Sequence, residues 1–249
     1  MTNFYYRNQD LFCEEVKVEE IAAKIGTPFY LYSAQEFRNN FKAFKTAFSG
    51  IDHLICYACK TNDNLTVLKI LAKEGAGADI VSGGELFKAL KAGFKPNRIV
   101  FAGVGKTEKE IESALEADIL MLNVESMAEL ELIAKIAGKL KKKARISFRI
   151  NPDIDPKTHP HISTALAKSK FGISITRALD AYSSASEMDN IEIVGIQVHL
   201  GSQITSVAPF VEALEKIAHL VMTLKDIEIK LKYVDLGGGL GITYKDEQP

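Results

Sequence analysis

Apolar residues along this chain change their spacing repeatedly. Short runs read as strands near 54–59, 78–81, 98–102, 119–123, 145–150, 193–199 and 232–236. An opening strand is expected at Phe29-Tyr30-Leu31-Tyr32, with a helix from about Ala34. Between the runs the spacing becomes helical, as in Leu65, Leu68, Lys69 and Ala72, or Leu130, Ile133, Ala134 and Ala137. A period that switches between 2 and 3.6 predicts repeated βα units on a parallel sheet. About seven such units favour an α/β fold of the (β/α)8 TIM-barrel type, although a doubly wound sheet also fits the pattern. In a barrel the functional groups sit at the C-terminal ends of the strands. Those ends carry Lys60, Asp79, Arg149, His199 and the glycines after Asp235. The longest irregular stretch, 151–170, follows a strand and is a candidate active-site loop.

Composition narrows the picture. The 249 residues carry 31 Lys and Arg against 32 Asp and Glu, a net charge of −1. That balance gives no reason to expect a nucleic-acid partner. The one basic cluster, Lys139, Lys141, Lys142, Lys143 and Arg145, ends a helix-like stretch, where cations suit the helix dipole. No apolar run is long enough for a membrane span, and residues 1–10 lack a signal-peptide core, so a cytoplasmic protein is expected. The cysteines are Cys13, Cys56 and Cys59, an odd number that argues against a disulfide framework. Cys56 and Cys59 form a C-x-x-C, but three residues apart on a strand lie about 10 Å apart and face opposite ways, too far for a disulfide.

Lys60 follows the apolar run 54–58 directly. A lysine at a barrel mouth can lose its proton on burial and form a Schiff base with an aldehyde, or it can simply be solvated. Gly237-Gly238-Gly239 directly follow Val234-Asp235-Leu236, so their backbone can approach an anion closely and cradle a phosphate, or make a tight turn. The dinucleotide fingerprint does not fit there, because position 242 is Ile242. Gly103-Val104-Gly105-Lys106-Thr107 looks like a P-loop but has Val100 where the pattern needs glycine. His199, at a strand end, can stack on a planar ring, move a proton or be structural, and Ser202 can donate to a phosphate oxygen. Asp153, Asp155, His159 and His161 could bind metal by type, but their spacing matches no metal motif, and no metal is expected. A lysine, a histidine, a serine and a glycine loop on strand ends of one barrel suit a phosphate-bearing aldehyde, pyridoxal 5'-phosphate (PLP).

Longer motifs carry a family resemblance. Tyr57-Ala58-Cys59-Lys60-Thr61-Asn62 resembles the Y-A-x-K-A-N motif of the barrel-type, fold-type III PLP-dependent decarboxylases. His199-Leu200-Gly201-Ser202-Gln203 and Asp235-Leu236-Gly237-Gly238-Gly239 are similar to two further motifs of that family. The diaminopimelate branch is favoured by Gly26-Thr27-Pro28-Phe29-Tyr30, Phe101-Ala102-Gly103-Val104-Gly105-Lys106-Thr107, Asn123-Val124-Glu125-Ser126, and 158–164 followed by Lys170-Phe171-Gly172. The likeness runs from about Phe4 to the last residue.

The resemblance implies an alanine racemase-like barrel over 34–249, preceded by an N-terminal segment, 1–33. It implies that Lys60 bears the cofactor, His199 stacks on its ring, Ser202 and Gly237 to Gly239 hold its phosphate, and Asp79 and Arg149 organise the site. The implied reaction converts meso-diaminopimelate to L-lysine and carbon dioxide, in a homodimer. Relatives acting on ornithine, arginine or carboxynorspermidine, and non-catalytic regulatory proteins of the same fold, share much of the pattern. Thr61 and Ala165 depart from the family at positions without an assigned role. The family continues past the point matching Pro249 into an eighth strand with a Glu-Pro-Gly-Arg motif and a β-domain. The expectation is therefore an incomplete barrel with little or no decarboxylase activity on its own.

Overall fold

A computed structural model of the chain describes residues 3–154 and 171–243. The chain divides into two compact units, one of Met1–Ile80 with Gly84–Ile99 and the other of Val81–Gly83 with Val100–Pro249.

The first unit opens with an antiparallel sheet, β1 (Phe4–Arg7), β2 (Asp10–Cys13) and β3 (Val16–Lys17), followed by α1 (Val18–Ile25). These strands were not foreseen. Tyr5 and Phe12 face each other across the pair with rings stacked 5.7 Å apart, which fixes the register. The strand expected at Phe29–Tyr32 does not form: this stretch pairs with no strand among the described residues. Tyr30 is 90% exposed, so its apolar character buries nothing.

Helix α2 (Ala34–Ala47) starts where expected, because the Ser33 hydroxyl accepts the Glu36 N–H and donates to Glu14 Oε1 at 2.7 Å. Next come β4 (Cys56–Ala58), α3 (Leu65–Glu74), β5 (Gly77–Ile80) and α4 (Gly83–Ala92). Strands β4 and β5 are parallel, with Ala58 beside Asp79. Asn64 caps the start of α3, and Gly75, at φ 90°, ends it in the left-handed conformation.

The second unit holds β6 (Ile99–Phe101), α5 (Glu108–Glu116), β7 (Met121–Val124), α6 (Met127–Leu140), β8 (Ala144–Asn151), β9 (Ile173–Ser174), α7 (Ala178–Ser186), β10 (Ile191–Gln197), α8 (Ala208–Asp226) and β11 (Tyr233–Asp235). Its strands pair in parallel in the order β6, β7, β8, β10, β11, with β9 on the end of β8. Alternation along each strand sorts the side chains. Val124, Phe148 and Ile196 form one apolar row, and Phe148 meets Tyr182 of α7 edge-on at 4.9 Å. The opposite face carries Asn123 beside Ser147, then Arg149 beside Gln197 beside Asp235. This face is polar and yet largely buried.

The basic cluster does more than decorate a helix end. Helix α6 stops at Leu140, and Lys141 turns into the left-handed region at φ 54°. Lys142 Nζ then donates to Leu115 O at 2.8 Å, while Arg145 donates to Leu120 O and to the Asp118 carboxylate. These two cations satisfy carbonyls at and just beyond the C-terminal end of α5. No helix among the described residues is long and apolar enough to cross a membrane.

Candidate functional site

In the first unit, β4 stops at Ala58, and Cys59–Thr61 form a single 3-10 turn. The turn presents Lys60 to solvent and buries Cys59 completely. Burial pushes the Cys59 thiol up to about 12, and the negative charges of Glu85, Asp79 and Asp63 add to that. Asp63 is itself paired with Lys88. Tyr57 donates its hydroxyl to Asn62 O at 3.2 Å, bracing the turn from the strand side. The C-x-x-C is not a disulfide: Cys56 packs against Arg98 O, and all three cysteines are free thiols.

In the second unit, two loops run side by side beyond β10 and β11. Val198 N donates to Asp235 O, Ile204 N to Gly239 O and Gly241 N to Ile204 O, at 2.8, 2.8 and 2.9 Å. Gln203 closes the far end with hydrogen bonds to the backbone of Ile242. This ladder brings His199, Gly201 and Ser202 against Gly237 to Gly239.

Glycine is required at two of the three positions. Gly237 has φ +65°, and a Cβ there would lie 2.6 Å from Val198 O and 2.7 Å from His199 Nδ1. Gly239 has φ +99°, and a Cβ there would overlap Gly201 O. Gly238 has nothing within 4 Å of its Cβ position and faces open space. The loop amides are partly committed. Gly237 N–H donates to Asp235 Oδ1 at 2.8 Å, and Gly238 N–H to His199 Nδ1 at 3.2 Å. The latter bond makes Nδ1 an acceptor and leaves the ring proton of the neutral form on Nε2. Gly239 N–H has no acceptor among the described residues.

Behind the loop lies a buried polar layer. Asp235 Oδ2 accepts from Asn123 Nδ2 at 2.9 Å. Burial pushes the Asp235 carboxyl above its ordinary range, opposed by the Gly237 amide, the Asn123 amide and the Arg149 charge. Arg149 NH1 donates to Glu125 Oε1 at 2.8 Å, and the Phe171 ring lies 4.9 Å from the guanidinium carbon. Lys106, in the P-loop look-alike, is fully engaged inside the protein. Its Nζ donates to Gly103 O, Asn123 O and Glu129 Oε1 at 2.8, 2.7 and 2.7 Å.

The structure therefore brings Arg149, His199, Ser202 and the glycine loop together at the strand ends of one unit, and Lys60 with Asp79 in the other. No cluster of metal-binding side chains occurs among the described residues, and Asp155, His159 and His161 lie outside them. Sequence reasoning missed the roles of Lys106, Asn123, Glu125, Glu129 and the Asp235 side chain. For Asn123, Glu125 and Asp235 the available signal was a polar residue on or at the end of an otherwise apolar strand; Lys106 and Glu129, in a loop and on a helix, carried none.

A loop of this kind has known counterparts. Residues 34–249 match the family described as pyridoxal-dependent decarboxylase, pyridoxal binding domain. The chain belongs to this family. Diaminopimelate decarboxylase of Aquifex aeolicus is 54% identical over 242 residues, covering 97% of this chain and 57% of that protein. The crystal structure of diaminopimelate decarboxylase from M. jannaschii in complex with L-lysine superposes with a TM-score of 0.92 at 40% identity, covering 100% of this chain and 60% of that one. The Helicobacter pylori enzyme complexed with L-lysine gives 0.90 at 48%, covering 93% and 59%. The chain thus spans somewhat under two thirds of the length of these relatives. The barrel fold class expected from the sequence is the one shared with these decarboxylases.

The family's cofactor is PLP, and the residues fit it. A loop that only glycine can build at 237 and 239 leaves an open cradle at 238. Beside that cradle are the Gly239 amide and the exposed Ser202, suitable donors for a phosphate.

Proposed function

We propose that this chain is the cofactor-binding part of a diaminopimelate decarboxylase, which removes one carboxylate from meso-diaminopimelate to give L-lysine and carbon dioxide. The observation that carries this reading is the pair of interlocked loops that sets His199 and Ser202 beside a glycine cradle. Similarity to relatives of that name over nearly the whole chain supports the choice of substrate.

In this reading Lys60 supplies the amine that holds the cofactor's aldehyde carbon. Ser202 and the Gly239 N–H would receive the phosphate, while Gly237 lets the two loops approach and Gly238 leaves the cradle open. His199, oriented through Nδ1 by Gly238, would pack against the cofactor's ring. Asp79 and Arg149 set the charge around the cofactor. Bound PLP supplies an electron sink for the pair left on carbon when the C–C bond to the carboxylate breaks. We assign the protein to the cytoplasm and expect it to act as a homodimer on a free amino acid.

Incubation with PLP, borohydride reduction and peptide mapping test the assignment of Lys60. A pyridoxyl group on Lys60, absent in Lys60→Ala, is the expected result. Labelling spread over surface lysines would count against it. Carbon dioxide release from meso-diaminopimelate, compared with ornithine and arginine, tests the substrate in a version extended to the length of the relatives.

A further inference from the structure

We propose that Glu125 is a positioning residue for the cofactor site, fixing the Arg149 guanidinium and the Gly172 amide at the strand ends. This rests on the reading above that Arg149 belongs to that site.

The geometry follows from strand register. Asn123 of β7 lies beside Ser147 of β8, so Glu125 and Arg149 occupy the next position along the same polar face. Their side chains are 3% and 10% exposed. Both oxygens of Glu125 are used: Oε1 accepts from Arg149 NH1 at 2.8 Å and Oε2 from Gly172 N at 3.0 Å. Gly172 sits at φ +73°, where a Cβ would lie 2.8 Å from Arg149 O. One carboxylate thus ties the guanidinium to the chain that passes over it, with the Phe171 ring against the same guanidinium.

Glu125 is itself held from behind. Its N–H donates to Glu129 Oε2 at 2.8 Å, and Glu129 Oε1 accepts from Lys106 Nζ at 2.7 Å. This line accounts for Lys106 in a motif that resembles a P-loop and binds no nucleotide in this reading. A buried ion pair is a weak source of stability, because an apolar pair of similar size often packs as well. What the pair does supply is direction. A guanidinium gripped through one nitrogen by a fixed carboxylate has a defined plane and defined remaining donors.

The test uses the holoenzyme. Glu125→Gln keeps the size, but its amide cannot accept from both Arg149 and Gly172. PLP affinity, followed by the absorbance of the bound cofactor, is expected to fall at least tenfold, with a shift in the absorption maximum. Arg149→Lys should fall similarly, and the double variant should be no weaker than the weaker single one. Should Glu125→Gln fail to fold, Glu125→Asp, which keeps the charge and shortens the reach, gives the same comparison. Affinity and spectrum within twofold of wild type, or fully additive losses in the double variant, would overturn the proposal. So would a lowered melting temperature with unchanged affinity. A wild-type protein that binds no PLP would overturn the assignment of the site itself, and this inference with it.

Discussion

Replacing Lys106 with methionine should be among the most damaging single changes in the second unit. The Lys106 side chain is 1% exposed, and its ammonium group meets three acceptors within 2.8 Å. Methionine fills much the same volume but donates nothing. Glu129, 9% exposed, would lose its cation, and the carbonyls of Gly103 and Asn123 would lose their donor. Breaking a buried pair by removing one partner costs roughly 3–5 kcal/mol. At about 2–4 °C per kcal/mol for a unit of this size, the melting temperature should drop by roughly 6–20 °C. The loss should depend on pH. Burial already pushes the Glu129 carboxyl above 4.5, and Lys106 is the largest opposing influence. A carboxyl raised on folding binds more protons in the folded state, so it favours folding in acid and penalises it as pH rises through the folded value. Without Lys106 that value climbs further. Urea unfolding should therefore show a larger deficit at pH 8 than at pH 5.5. Adding Glu129→Leu should recover at least half of the loss. A deficit below about 1 kcal/mol, insensitive to pH and to the second change, would refute the reasoning.

Three further outcomes are expected. Gly239→Ala should weaken PLP binding at least tenfold, because φ +99° and the overlap with Gly201 O force the two loops apart; equilibrium titration reads this. Tyr182→Phe removes the 2.9 Å hydrogen bond to Gly195 O inside the core, and chemical denaturation should show a loss of about 1–2 kcal/mol with the far-UV spectrum unchanged. Cys59, fully buried with its thiol pushed up to about 12, should resist iodoacetamide at pH 8 in the native protein and react once it is unfolded in urea.

The alternating period of the chain was enough to locate β4 to β8, β10 and β11 within a few residues, because a strand buried on both faces must be apolar wherever it packs against helices. The helix start at Ala34 was equally local, set by the Ser33 cap. The placement of Lys60, His199 and the glycine loop at strand ends was legible, because each closely follows an apolar run that reads as a strand. The first three strands were not, since a hairpin as short as β1 and β2 is specified by stacking between Tyr5 and Phe12 rather than by a long pattern. The run at Phe29–Tyr32 failed as a strand for the complementary reason: apolar residues make a strand only where a neighbour supplies hydrogen bonds.

Tertiary structure alone decided what the polar residues inside the sheet do. The partners of Lys106 and Arg149 could not be read from sequence: one is spent inside the protein and the other is held by Glu125. Composition sets how many charges a chain carries. Which of them meet follows from strand register, because residues side by side on adjacent strands face the same way however far apart they lie in sequence. That register carries Asp235 to Asn123, 112 residues away, and so ties the glycine loop to the buried layer beneath it.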